Sequence, residues 1–357
     1  MCLPGIFLNV FGATQTGAMI PLLDLITKTA IAIPTKIKGF QHRVSNSKVG
    51  SAKWMPDNAD FYFSLDLNML HYWWQAARPK TLPASVGPIL LGTALASTVT
   101  DISWVVFLVT LICAMSLQIA VNLANDLFDG LSGVDDDNRL GPPRMVQSGH
   151  ISPDQMKLGL GLCTSVAVAS GLVLVSFAGW ELFLIGTGCV LGVFAYSAGP
   201  VPLASCGLGE ATVLVFFGWV AVIGSYYLQT ENVSLIAFLF GTASGLFSAA
   251  MMLVNNLRDL TTDEAAGKVT LAVRLGETLT RGLYIVMIFT ALVFHMLAAN
   301  TSAWHMLIPL AVCAAPMLKL ISAIRSQAGQ ALNGVLANTA KLGLIYCIST
   351  SAVLMTL

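Results

Sequence analysis

Beyond residue 80 the chain is built from long apolar runs separated by short polar segments. Runs of about 20 mostly apolar residues without a charge have the length of a helix that crosses a hydrocarbon core roughly 30 Å thick. Irregular backbone is too costly in lipid, so helices are the only sensible reading. The pattern predicts about nine of them, near 82–100, 102–126, 155–178, 181–199, 209–229, 233–256, 281–299, 302–322 and 334–357.

Two of these runs end in polar clusters of similar design: Asn122, Asp126 and Asp129, then Asn255, Asp259 and Asp263. In each, Asn precedes the first Asp by four positions and a second Asp follows three or four later. Those spacings stack each set on one helical stripe. The two stripes occur four predicted helices apart.

Composition sharpens the class. Of 357 residues, 56% are hydrophobic and 10% charged, with mean hydropathy +0.77, which marks an integral membrane protein. A formal net charge of zero and the lack of a basic stripe argue against nucleic-acid binding. The cysteines Cys2, Cys113, Cys163, Cys189, Cys206, Cys313 and Cys347 stand apart, so neither a disulfide framework nor a zinc site is expected. His150, His295 and His305 likewise lack paired ligands.

The cations then orient the helices. Arg78, Lys80, Arg139, Arg144, Lys157, Arg258, Lys268, Arg274, Arg281, Lys319, Arg325 and Lys341 all fall in or beside alternate connections, while those near 101, 180, 231 and 300 hold only Asp101, Glu181 and Glu231. The positive-inside rule puts the N-terminus and both polar clusters in the cytoplasm and the C-terminus outside. Residues 1–68 differ in pattern and are expected to form a poorly ordered extension, with translation beginning at Met69 as one alternative and an amphipathic segment on the membrane as another.

Costly carboxylates at the ends of oily helices need partners. Facing one another across a cavity, they suit hard cations such as Mg²⁺, which leave coordination positions open for diphosphate oxygens. Interfacial caps that snorkel to water are the blander reading, and for Asn122 and Asn255 interhelical hydrogen bonding competes with ligation. The following loops carry Arg139 and Arg144, then Lys268 and Arg274, groups that suit phosphate but also sit where topology alone demands cations. Gly188 with Gly192, and Gly241 with Gly245, read as close-packing helix faces.

Together, Asn122 to Asp129, Gly141-Pro-Pro-Arg144 with Ser148-Gly149, Asn255-Asn-Leu-Arg-Asp259 to Asp263, and Gly267-Lys-Val-Thr-Leu-Ala-Val-Arg-Leu-Gly276 resemble the UbiA superfamily of intramembrane prenyltransferases, in particular its 1,4-dihydroxy-2-naphthoate polyprenyltransferase branch. The likeness covers roughly residues 70–357 and includes Arg78-Pro-Lys-Thr-Leu-Pro83. It implies an all-α integral membrane protein in a bacterial inner membrane, with nine helices around a central cavity and a cytoplasmic cap. It implies Mg²⁺-dependent transfer of a polyprenyl chain from its diphosphate to 1,4-dihydroxy-2-naphthoate with loss of the carboxylate, a step of menaquinone biosynthesis, with no obligate protein partner. Asp126, Asp129, Asp259 and Asp263 would then hold the metal, Asn122 and Asn255 assist, and Arg144 and Lys268, with Arg139 nearby, bind the diphosphate.

Two positions depart from that pattern. A third Asp common in the superfamily is Gly133 here, with Asp135, Asp136 and Asp137 just beyond. The connection after the fourth predicted helix lacks the basic and aromatic residues many relatives carry, leaving Tyr196 and Glu210 as candidates to orient an acceptor. Another aromatic acceptor such as 4-hydroxybenzoate is the first alternative. A cation-coupled transporter is the second, opposed by acids near the helix ends rather than the midplane.

Overall fold

The computed structural model describes residues 67–132, 140–199, 202–299 and 304–356. The predicted extension up to residue 66, Gly133, Asp135 to Asp137 and Arg139 lie outside the described residues. Eleven α-helices are formed, and no strand occurs among the described residues. They are α1 (Leu67–Ala77), α2 (Pro83–Ala96), α3 (Trp104–Ser132), α4 (Pro153–Ala178), α5 (Glu181–Ser197), α6 (Gly209–Thr230), α7 (Leu235–Arg258), α8 (Leu260–Ala265), α9 (Leu271–Ala298), α10 (Leu307–Ser326) and α11 (Leu332–Leu354).

Seven of these, counted with their flanking turns, are long and apolar enough to cross a membrane. The predicted spans near 82–100 and 181–199 are apolar but shorter, 14 residues in α2 and 17 in α5. Proline sets the start of α2: Pro83 occupies the first helical turn, where its missing N–H costs nothing. At the other end the helix stops at Ala96, short of the predicted boundary.

Two further boundaries matter for chemistry. α3 runs past its predicted end at residue 126 to Ser132, so Asp126 and Asp129 lie inside a helix. The stretch 271–275, expected as loop, is helical and joined to α9 through a kink at Gly276, whose φ of 72° suits glycine. Thr270 caps that turn by accepting a hydrogen bond from the Val273 amide at 3.3 Å.

The helices pack in two groups. Leu123, Leu127, Met156, Leu160 and Val193 form one apolar core from α3, α4 and α5, with Trp73 of α1 against Gly159. α7 is the axis of the other. It packs on α6, α9 and α11 and buries Phe240, Phe247 and Leu253, while α2 and α10 complete the group. Exposed Leu, Val, Ile, Phe and Trp side chains on the outer helix faces suit lipid.

Small residues permit the closest contact. A Cβ on Gly245 would lie 2.9 Å from the Gly218 Cα and 2.9 Å from the Leu214 carbonyl oxygen, so α6 and α7 meet backbone to backbone. Gly241 faces the same spot. Gly188 was expected to share this role but has open space, whereas Gly192 meets the Phe216 ring. Residues Leu214–Val220 of α6 form a π-helical segment at this contact, a form of helix that is rare outside single turns.

Gly245→Val is expected to force α6 and α7 apart at a cost of about 1–3 kcal/mol. Thermal unfolding in detergent should show a lowered midpoint for this variant and an unchanged one for Gly188→Ala.

Candidate active site

The first polar stripe and the loop after the second come together at one end of the bundle. Asp129 of α3 pairs with Arg144 from the following loop, and Lys268, from the connection between α8 and α9, lies 3.7 Å from its other oxygen. One carboxylate thus gathers cations from both halves of the sequence. The pairing is only partly exposed, with 18% of the Asp129 side chain, 6% of Arg144 and 19% of Lys268 accessible.

Asp126, 2% exposed, accepts hydrogen bonds from the backbone amides of Met145 and Val146, both at 2.9 Å. These bonds hold the loop against α3 and set Arg144 beside Asp129. Asn122, one turn earlier, donates to the Ala77 carbonyl at 2.8 Å and to the Thr81 hydroxyl at 3.1 Å. Its contacts here are therefore structural, tying α3 to the segment between α1 and α2.

At the second stripe Asp259 caps the end of α7 and is gripped by its neighbour Arg258, 2.8 Å from one carboxylate oxygen and 2.5 Å from the other. The same guanidinium donates to the Asn255 side chain at 2.9 Å and to Asn333 of α11 at 2.8 Å. Asn333 in turn donates to the Leu140 carbonyl at 3.0 Å, linking the second stripe to the loop of the first. Asp263 lies in α8, where its carbonyl accepts the Lys268 amide at 2.8 Å and so turns the chain that carries Lys268.

Tyr196 closes another side. Its hydroxyl contacts the Met252 sulfur at 3.3 Å. Ser197 donates to the Asn125 side chain beside it. Glu210 is 3% exposed and accepts from Asn256 at 2.8 Å.

Arg258, Asn333 and Arg78 are structural members of this region that sequence reasoning did not single out. Arg258 and Arg78 were visible only as topological cations inside motifs. Asn333, 75 residues from Arg258 and 193 from Leu140, carried no local signal. Arg139 lies outside the described residues.

Among the described residues no three His, Cys, Asp or Glu side chains gather into a metal-binding group. Carboxylate oxygens are the donors a hard divalent cation takes, and Asp126 and Asp129 lie three residues apart on α3. Arg144, Lys268 and Arg258 supply positive charge to the same end.

Residues 85–342 match the UbiA prenyltransferase family. This chain belongs to that family. It is 35% identical over 284 residues to 1,4-dihydroxy-2-naphthoate octaprenyltransferase of Mycobacterium tuberculosis, covering 79% of this chain and 96% of that protein. It is 39% identical over 256 residues to the Escherichia coli protein of the same name, covering 69% and 82%. The fold resembles a UbiA homologue from Archaeoglobus fulgidus bound to GPP and Mg²⁺, with TM-score 0.61 and 14% identity over 80% of this chain and all of that one. The protein is thus a prenyltransferase integral to the membrane.

Asp126→Ala should release the Met145 and Val146 amides. Hydrogen exchange read by mass spectrometry is expected to accelerate in the peptide spanning residues 140–151 and to stay unchanged in α7.

Proposed function

We propose that this protein transfers a polyprenyl chain from polyprenyl diphosphate to 1,4-dihydroxy-2-naphthoate, with loss of the carboxylate as CO₂, to give a demethylmenaquinol. The observation that supports the reading most directly is the shared grip of Arg144 and Lys268 on Asp129, because it brings a cation from the loop after each stripe to one acid of the first. The names of the relatives support the acceptor. The domain responsible is residues 69–357, with 1–68 outside it, and the site faces the cytoplasm of a bacterial inner membrane.

Asp126, Asp129, Asp259 and Asp263 would hold Mg²⁺, with Asn255 within reach through its bond to Arg258. Mg²⁺ bound there supplies charge that offsets the negative charge growing on departing diphosphate. Arg144 and Lys268 act in the same sense: in exchange for Asp129 each meets phosphate oxygens, contacts that strengthen as the carbon–oxygen bond breaks. Asp126 keeps Arg144 in position through the loop amides. Arg258 does so for Asp259 and Asn255.

The apolar helix faces leading away from this end shield the allylic cation from water until the ring attacks it. Tyr196 stands on the acceptor side. Chain length is set by how much of that apolar interior the tail fills.

Purified protein in lipid with Mg²⁺, a long-chain prenyl diphosphate and 1,4-dihydroxy-2-naphthoate should give a prenylated, decarboxylated product by mass, abolished by EDTA. Product from 4-hydroxybenzoate alone would move the substrate and keep the chemistry. Asp259→Asn should lower turnover per folded molecule by about 10- to 100-fold or more; wild-type turnover would remove Asp259 from the metal site.

A further inference from the structure

Glu210 opens α6 and is almost fully buried. One of its oxygens accepts from Asn256 at 2.8 Å; the other, equally shut off from water, has no protein hydrogen-bond partner. A buried oxygen in that state carries the full cost of its lost hydration. Its neighbour is a neutral amide, in contrast to Asp129 and Asp259, which are held by Lys or Arg. Asn256 sits beside Asn255 of the second stripe, and a Cβ on Gly209, the residue before Glu210, would lie 3.6 Å from the Tyr196 hydroxyl.

We propose that Glu210 is a catalytic residue, the group that accepts and returns a hydroxyl proton of the aromatic acceptor; this rests on the prenyl transfer proposed above. In 1,4-dihydroxy-2-naphthoate the hydroxyl on carbon 1 adjoins the carbon that bears the carboxylate. Its proton passes to the free Glu210 oxygen, and the electron pair left on oxygen enters the ring. Carbon 2 then bonds to the first carbon of the allylic cation left when the carbon–oxygen bond breaks and its pair departs on the diphosphate. The ring oxygen is now a ketone beside the carboxylate. CO₂ departs, its bonding pair restores the aromatic ring and the oxyanion, and Glu210 returns the proton. No oxidant or further base is required.

Asn256 fixes the carboxyl through its other oxygen, so the proton-carrying oxygen keeps one orientation. Among the described residues no cation forms an ion pair with Glu210. Those features suit a group that carries a proton in both directions within one turnover.

Glu210→Gln preserves shape and the acceptor for Asn256 but takes no proton. With wild-type enzyme already forming the naphthoquinol product, this variant is expected to lose about 100-fold or more in kcat with KM for the prenyl diphosphate unchanged, and Glu210→Asp to recover part of the rate. Wild-type kcat in Glu210→Gln, or an equal loss of diphosphate affinity, would overturn the assignment. If Glu210→Gln fails to fold, wild-type enzyme with the 1-methoxy ether of the acceptor decides: a comparable loss of rate upholds the proton transfer, and an equal rate to the free hydroxyl refutes it. A wild-type enzyme that forms no product from any phenolic acceptor would instead overturn the underlying reading.

Discussion

Negative charge placed at the ends of apolar helices is the constraint on which this structure depends. Carboxylates taken out of water need cations or several hydrogen bonds. Asp129 uses Arg144 and Lys268, Asp126 uses two loop amides, and Asp259 uses Arg258. Removing one member of so buried a pair as Arg258 and Asp259 would leave an uncompensated charge, at roughly 3–5 kcal/mol.

These contacts also join the two apolar groups of helices. The α3, α4 and α5 group and the group around α7 each have their own core, and polar links run between them at one end. Asp129 with Lys268, Asn333 with Leu140, and Tyr196 with Met252 cross that boundary. The chemistry proposed for the site therefore draws on residues that also maintain the assembly.

Backbone geometry serves the same end. Arg78, with φ 51° between α1 and the turn before α2, is one of two non-glycine residues with positive φ among those described. Strain of this kind costs of order 1–3 kcal/mol, and here the Thr81 hydroxyl on the Arg78 carbonyl at 2.9 Å helps hold it. The direct contact of Gly218 with Gly245 lets α6 lie close to α7, the approach that puts Glu210 on Asn256.

The all-helical membrane class, the approximate positions of the long apolar helices and the stripe on α3 were legible in the sequence; α1, α8 and the break between α7 and α8 that divides Asn255 from Asp263 were not. Hydrophobic length and helical spacing are local properties, and lipid leaves the backbone few options. Helix ends were less so: Ser132, Ala96 and the turn at 271–275 depend on capping and on what packs nearby. Tertiary structure alone decided which groups share a charge. Arg144 and Lys268 read equally as topology markers until both met Asp129, Asn122 turned from the acids toward Ala77 and Thr81, and Asn333 joined the site from a helix with no motif. Pairing partners 75 to 193 residues apart leave no periodic trace, because the free energy of a buried contact depends on distance in space and not along the chain.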